Sequence, residues 1–311
     1  MTKQHAIPAD DQPSTRSIGL LLAFIGVAAF SLTLPMTTIA VGTLDPLQVA
    51  VWRAILACIT AAIIIFWDYL RLGGTQFIRP RGRQWGALGL CALGVVFGFP
   101  VFTTLAMSEV SASHGAVVVG LLPLGTAMAG VAVTSERPSL AFWVVAVVGT
   151  ALTVAFVVRQ SGGLGGGIGI GHLYLLAAVV AASVGYAIGG QLAKLLAGWR
   201  VACWSLLVAS PLLLGLAFII PPIPMSTAIV PLSAFLYLAL ISQLFGFFAW
   251  YRGMAYAGVA RASQVQLLQL FMTVAAAIVL LGEPFDPEVL FFGAAVVVCV
   301  AIGTRIRIRG A

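Results

Sequence analysis

Four amides and one guanidinium stand where the sequence is otherwise almost wholly apolar. Gln264, Gln266 and Gln269 fall within "ARASQVQLLQLF", Gln243 within "LISQLFGFF" and Arg53 within "PLQVAVWRAILACITAAIIIF". An uncharged amide can donate to a carboxylate and accept from an ammonium, and a guanidinium donates to carboxylates or clustered carbonyls. Gln266 and Gln269 lie three apart and so share one face of a helix. This chemistry recognises a small polar solute and does not break bonds in it. The only histidines are His5, His114 and His172, and they form no Ser/His pair, Asp/Asp pair or metal-ligand spacing, so neither an enzyme nor a metal or other cofactor is expected. The run "SGGLGGGIGIGH" lacks the Lys-Ser/Thr of a phosphate loop and follows no strand.

Each of these residues has a plainer reading beside the functional one. Arg53 can reach for the membrane surface, pair structurally, or face a wet cavity. Buried amides commonly tie helices together, yet Gln243, Gln266 and Gln269 are taken here as cavity residues. Tyr186, Trp250 and the serines Ser31 and Ser183 join them as weaker candidates, although Trp250 and Tyr251 also suit an interfacial aromatic belt. His114 and Glu109 flank a turn and are candidates for a gate. Pro35, Pro100, Pro123 and Pro211 interrupt helices and free carbonyls that could bend gates or line a cavity.

The elements that must position these groups follow from composition. The 311 residues are 61% hydrophobic and 8% charged, too apolar for any soluble fold, so the solvent is lipid. Helical spans of about 20 residues recur, and the ten-residue alternation of an outer-membrane barrel does not. Apolar spans lie at 18–41, 46–67, 85–106, 112–134, 140–158, 169–193, 201–220, 231–253, 262–281 and 288–304, with residues 1–17 as a polar tail, 160–168 as a glycine-rich linker and 306–311 as a basic tail. Both termini are expected in the cytoplasm of a bacterial inner-membrane protein, which puts every Lys and Arg on the inner side except Arg53 and Arg159. The net charge of +7 is therefore topological, and no nucleic-acid partner is expected. Cys58, Cys91, Cys203 and Cys299 sit in apolar runs as small core residues.

The chain repeats itself. At an offset of about 152, Gly19, Ser31 and Trp52 meet Gly171, Ser183 and Trp204; at about 148, "FGF" at 97–99 meets "FGF" at 245–247. At about 147, Met107, Leu121, Thr126, Ala129 and Glu136 meet Met254, Leu268, Thr273, Ala276 and Glu283. Each half, 18–159 and 169–305, holds five spans. Five is odd, so the second copy enters the membrane from the opposite face, giving ten transmembrane helices as two inverted five-helix repeats with a cavity between them.

"WRAILA" in span 2, "ASHGAVVVGLLPLGTAMAG" running to "SER" in span 4, and "ARASQVQLLQL" running to "LLGEP" in span 9 resemble the EamA-type carriers of the drug/metabolite transporter superfamily over about residues 18–305. The resemblance implies a ten-span secondary transporter, often an exporter of amino acids or related metabolites, and the family pattern carries Arg at the place of Arg53. Span 9 lacks the mid-helix proline of many relatives, leaving the second half without the residue that would mark a hinge. All nine acidic residues lie in tails or near span ends, which favours facilitated diffusion or exchange over a proton-coupled pump. The expected partners are a small-molecule substrate and the lipid bilayer, with the chain a monomer or weak homodimer. A membrane receptor or scaffold without transport, and an intramembrane enzyme, are the alternatives.

Overall fold

A backbone in lipid must satisfy its own hydrogen bonds, and a helix does so within one segment. The computed structural model describes residues 13–73, 77–133, 139–160, 169–258, 262 and 265–305, and among these all regular structure is helical. The rods, numbered here by chain order, are α1 (Pro13–Ser31 and Thr33–Val41), α2 (Pro46–Leu72), α3 (Arg83–Ala92, Leu93–Gly98 and Phe99–Met107), α4 (Ala112–Val119 and Leu122–Val133) and α5 (Leu140–Gln160). After them come α6 (Ile170–Leu196), α7 (Gly198–Ala217), α8 (Ile229–Leu236, Tyr237–Phe245 and Gly246–Ala257), α9 (Leu268–Leu281) and α10 (Pro287–Arg305).

Seven rods, α1 to α4 and α6 to α8, are long and apolar enough to cross a membrane, while α5, α9 and α10 hold the shorter apolar stretches Trp143–Thr153, Leu268–Leu281 and Pro287–Cys299. The chain is an all-α membrane protein. Most of the two expected tails, nearly all of the glycine-rich linker, and Glu136, Arg137, Arg261 and Gln264 lie outside the described residues. Residues 13–17, expected as tail, already belong to α1, whose first helical residue is a proline, well suited to that position.

Local chemistry sets the ends of the rods. Asp45 caps α2 by accepting from the N–H groups of Leu47 and Gln48 at 2.9 and 3.1 Å, and Gly73, at φ +65°, closes it. Hydrogen bonds between rods fix their directions. At the start of α2, the Gln48 amide donates to the Pro221 and Pro222 carbonyls just past the end of α7; at its far end, Asp68 pairs with Arg200 at the start of α7, 2.9 Å away. Thus α2 and α7 are antiparallel. Glu283, past the end of α9, accepts from the first N–H groups of α4, and Arg159 near the end of α5 pairs with Glu288 at the start of α10. The pairs 2 and 7, 4 and 9, and 5 and 10 are repeat equivalents, and each runs in opposite directions. The described packing therefore has an inverted two-fold relation between its halves.

Charge is segregated accordingly. Arg71, Arg79, Arg81, Arg83, Lys194, Arg200 and Arg252 lie at one face, the basic face; Asp45, Glu109, Glu283, Asp286 and Glu288, with Arg159, lie at the other.

The helix interruptions follow from missing donors. Pro35 has no N–H for the Ser31 carbonyl, and the Thr273 hydroxyl takes that carbonyl at 2.7 Å. In the π-helical stretch Leu93–Gly98, Phe99 N–H bonds back to Gly94; the next donor in that register is Pro100, which has none, and Gln243 Nε2 donates to the stranded Val95 carbonyl at 3.0 Å. Ser210 does the same for Leu207, opposite Pro211. The π stretches of α3 and α8 overlap when the halves are aligned at 148, which is where the two "FGF" motifs fall. The corresponding helix of the second half is interrupted without a proline. α4 breaks at Gly120 and Leu121, and a turn at Leu267, between helical residues 265–266 and the start of α9, is the repeat equivalent of Gly120 at the offset of 147.

Small residues let the rods of opposite halves touch. A Cβ on Gly253 of α8 would lie 2.6 Å from Ala23 N of α1, and one on Gly94 of α3 would lie 2.4 Å from the Ala181 carbonyl of α6. Gly94→Ala is therefore expected to destabilise the fold by about 1–3 kcal/mol, as overpacking does. Gly86→Ala, where a Cβ meets nothing within 4 Å, serves as the silent control. The fraction of protein that stays monodisperse after heating in detergent measures both, and equal survival would mean that the α3–α6 approach carries no packing constraint.

Candidate functional site

Arg53 lies seven residues past the start of α2, roughly 10 Å along its axis at about 1.5 Å per residue. It does not snorkel: its relative exposure is 1%. One guanidinium nitrogen, Nη2, donates to Ser242 Oγ at 3.3 Å, and Ser242 and Thr33 share a hydroxyl hydrogen bond of 2.9 Å. Among the described residues, Nε and Nη1 have no acceptor. A cation in the hydrocarbon region costs about 2.5–3.5 kcal/mol even on lenient insertion scales, so the fold retains this group against its own stability.

Beside the guanidinium is a cavity of about 10 Å³, room for a single water. Thr33, Arg53, Ser242, Gln243 and Gln269 supply its polar lining, and Phe30, Tyr186 and Phe247 form an aromatic wall with ring centroids 4.9 to 6.2 Å apart. These residues come from α1, α2, α6, α8 and α9, so both halves contribute. Gln269 also borders a second cavity of similar size, with Gln266, Gly120 and Thr273. Gln266 is buried with neither amide atom bonded, and Gln269 Oε1 is likewise without a donor. Neither cavity admits an organic solute as it stands: this conformation is closed around the site.

Of the residues singled out by the sequence, Arg53, Gln243, Gln269 and Tyr186 meet at the first cavity, and Gln266 joins through the second. Three do not line either cavity. Ser31 Oγ turns back to the Ala28 carbonyl of its own helix, because a serine hydroxyl reaches that carbonyl readily. Ser183 Oγ abuts Gly125, where a Cβ would lie 2.3 Å away. Trp250 is fully buried, in neither an interfacial belt nor the cavity lining; it backs the wall by packing against Tyr186 and Phe30 at 5.7 and 6.3 Å. Thr33, Ser242, Phe30 and Phe247 were missed. The hydroxyl of Ser242 beside Gln243 was the available signal, while a phenylalanine in an apolar run carries none.

At the face opposite the basic one stand the gate candidates, and they do not hydrogen-bond to each other among the described contacts. Glu109 is exposed in the turn, and His114 Nε2 instead meets His172 Nε2 across α4 and α6 at 3.2 Å. The carboxylate that engages α4 is Glu283, with its two oxygens on the N–H groups of Ala112 and Ser113 at 2.8 and 3.0 Å. It satisfies donors that the first helical turn leaves free and complements the helix dipole.

The EamA-like transporter family matches residues 17–158 and again 169–305. The chain is 39% identical over 290 residues to an "Uncharacterized transporter YdeK" of Bacillus subtilis (strain 168), covering 92% of this chain and 97% of that one. A solved structure called "Crystal structure of protein", 18% identical, shares the fold with a TM-score of 0.63 over 92% of this chain and 96% of its own.

Two outcomes are expected from this geometry. Arg53→Met keeps the side-chain volume and removes an uncompensated charge, so thermal stability in detergent should be unchanged or higher by about 1 kcal/mol, while solute binding is lost. A clear loss of stability would make Arg53 a structural strut. Glu283→Ala removes the cap on α4 at a cost of about 1 kcal/mol and should speed maleimide labelling of a cysteine placed at Ser113. Labelling at the wild-type rate would mean that Glu283 does not hold that end closed.

Proposed function

The chain belongs to the EamA-like transporter family, and from that premise we propose that it carries a small metabolite across its membrane by alternating access at the Arg53 cavity. The observation that carries this reading is the buried, largely unpaired guanidinium at a hollow shared by both halves. A permanent cation without a counter-charge is a poor structural element and a good ligand-recognition element.

The inverted relation supplies the mechanical part. Two packings of similar energy, related by the two-fold, let one set of contacts serve a cavity that faces either side. The π stretches of α3 and α8, the break in α4 and the turn before α9 adjoin the cavities, where helices can bend at low cost. The carried solute is of amino-acid size and kind, an amino acid or a related compound such as the carboxylate of the same skeleton, with an aromatic wall for its body and amides and hydroxyls for its polar end. The chain works as an exporter or exchanger: the described acidic residues lie at or near rod ends, and no carboxylate relay lines the cavity. Reading the segregated basic face as cytoplasmic, by the positive-inside bias, supports cytoplasmic termini and a bacterial inner-membrane location, with the chain a monomer or weak homodimer.

Counterflow in proteoliposomes preloaded with a panel of amino acids, organic acids, purines and sugars tests the proposal. At least one class should exchange, and Gln269→Leu should lower its apparent affinity roughly tenfold, the loss expected from removing one hydrogen bond to a charged group. Vesicles that exchange nothing in the panel, with protein shown to be folded and inserted, would count against transport through this site.

A further inference from the structure

Resting on the transport reading above, we infer that the solute held at Arg53 is an organic monoanion, a carboxylate on an apolar or aromatic body, in preference to a zwitterion of the same skeleton. Arg53 is 1% exposed, and among the described residues its guanidinium is bonded only to a neutral hydroxyl, with no acceptor for Nε or Nη1. Its charge is uncompensated until a ligand arrives.

No protein carboxylate fills that role among the described residues, which include every acidic residue except Asp10, Asp11 and Glu136. Asp68 is held by Arg200, Glu288 by Arg159, and Glu283 by the start of α4; Asp45 caps α2. None lines the cavity. A bound carboxylate would restore neutrality in a poorly solvated place, where that attraction is strongest.

The same inventory disfavours a second, positive group. The α-ammonium of an amino acid stands within a few ångströms of its carboxylate, hence close to the guanidinium, and like charges repel there. To offset that repulsion it would find, among the described residues, neutral groups and no carboxylate: the Gln269 and Gln243 amides, the Thr33, Ser242 and Tyr186 hydroxyls and the faces of the aromatic rings, while the Gln243 nitrogen is committed to Val95. Phe30, Tyr186, Phe247 and Phe99 leave the rest of the lining suited to an apolar body.

Matched skeletons of different charge separate the two readings: 3-phenylpropionate, phenylalanine and phenethylamine in one set, 4-methylpentanoate and leucine in another. Each is tested by uptake competition in proteoliposomes and by thermal shift of the purified protein in detergent. The anions should compete at least tenfold better than their zwitterions and raise the melting temperature of wild type and Arg53→Lys, while Arg53→Gln, folded and monodisperse, shows no such preference. An anion-specific shift without flux of any compound would overturn the transport reading and leave this inference standing. Zwitterions that bind as well as their matched anions, or an absence of any shift with anions, would overturn the inference.

Discussion

The buried Arg53 guanidinium, which has no counter-charge among the described residues, is the constraint on which the rest of the site depends. Among the described residues two of its nitrogens have no hydrogen-bond acceptor, and the one that is bonded meets a serine hydroxyl. Such a group lowers stability, so a fold that keeps it surrounds it with whatever makes it useful. Here that means hydroxyls and amides on one side and aromatic rings on the other, drawn from rods of both halves.

The two halves share a plan but not their contents. At the offsets that align them, the counterparts of Thr33, Arg53, Ser242 and Gln243 are Gly185, Ser205, Gly94 and Val95. Gly94 and Gly185 bring α3 and α6 into backbone contact, with a Cβ on Gly185 only 2.5 Å from a methyl of Val95. One symmetry-related position is therefore a polar hollow and the other is solidly packed. Gln243 spans the two by donating to Val95, its own repeat equivalent. The backbone geometry is common to the two halves, and small residues fill one copy while polar groups occupy the other.

The helical membrane character was legible because lipid imposes it on any chain this apolar, and the inverted halves were legible because an odd number of spans leaves no alternative direction. Arg53, Gln243 and Gln269 stood out since polar groups in apolar runs are costly and need a reason. What escaped was decided by packing. Ser31 and Ser183 were singled out as repeat partners, yet one bonds its own helix and the other lies against a glycine of a neighbouring rod, while Ser242, not singled out, lines the cavity. Phe30 and Phe247 are ordinary by type and matter only by placement. The turn before α9 escaped because proline is one cause of a helix interruption, and the repeat-equivalent turn forms without it. His114 was seen, but its partner lay 58 residues away on another rod, beyond what spacing can indicate.

The direct check on the uncompensated charge is to compensate it from within. Ser242→Asp places a carboxylate where Ser242 Oγ now accepts from Arg53. Measured together, the melting temperature should rise and solute binding should vanish, because the protein then carries its own occupant. A destabilised protein, or one that binds its solute as tightly as before, would contradict the view that Arg53 awaits a charge from outside.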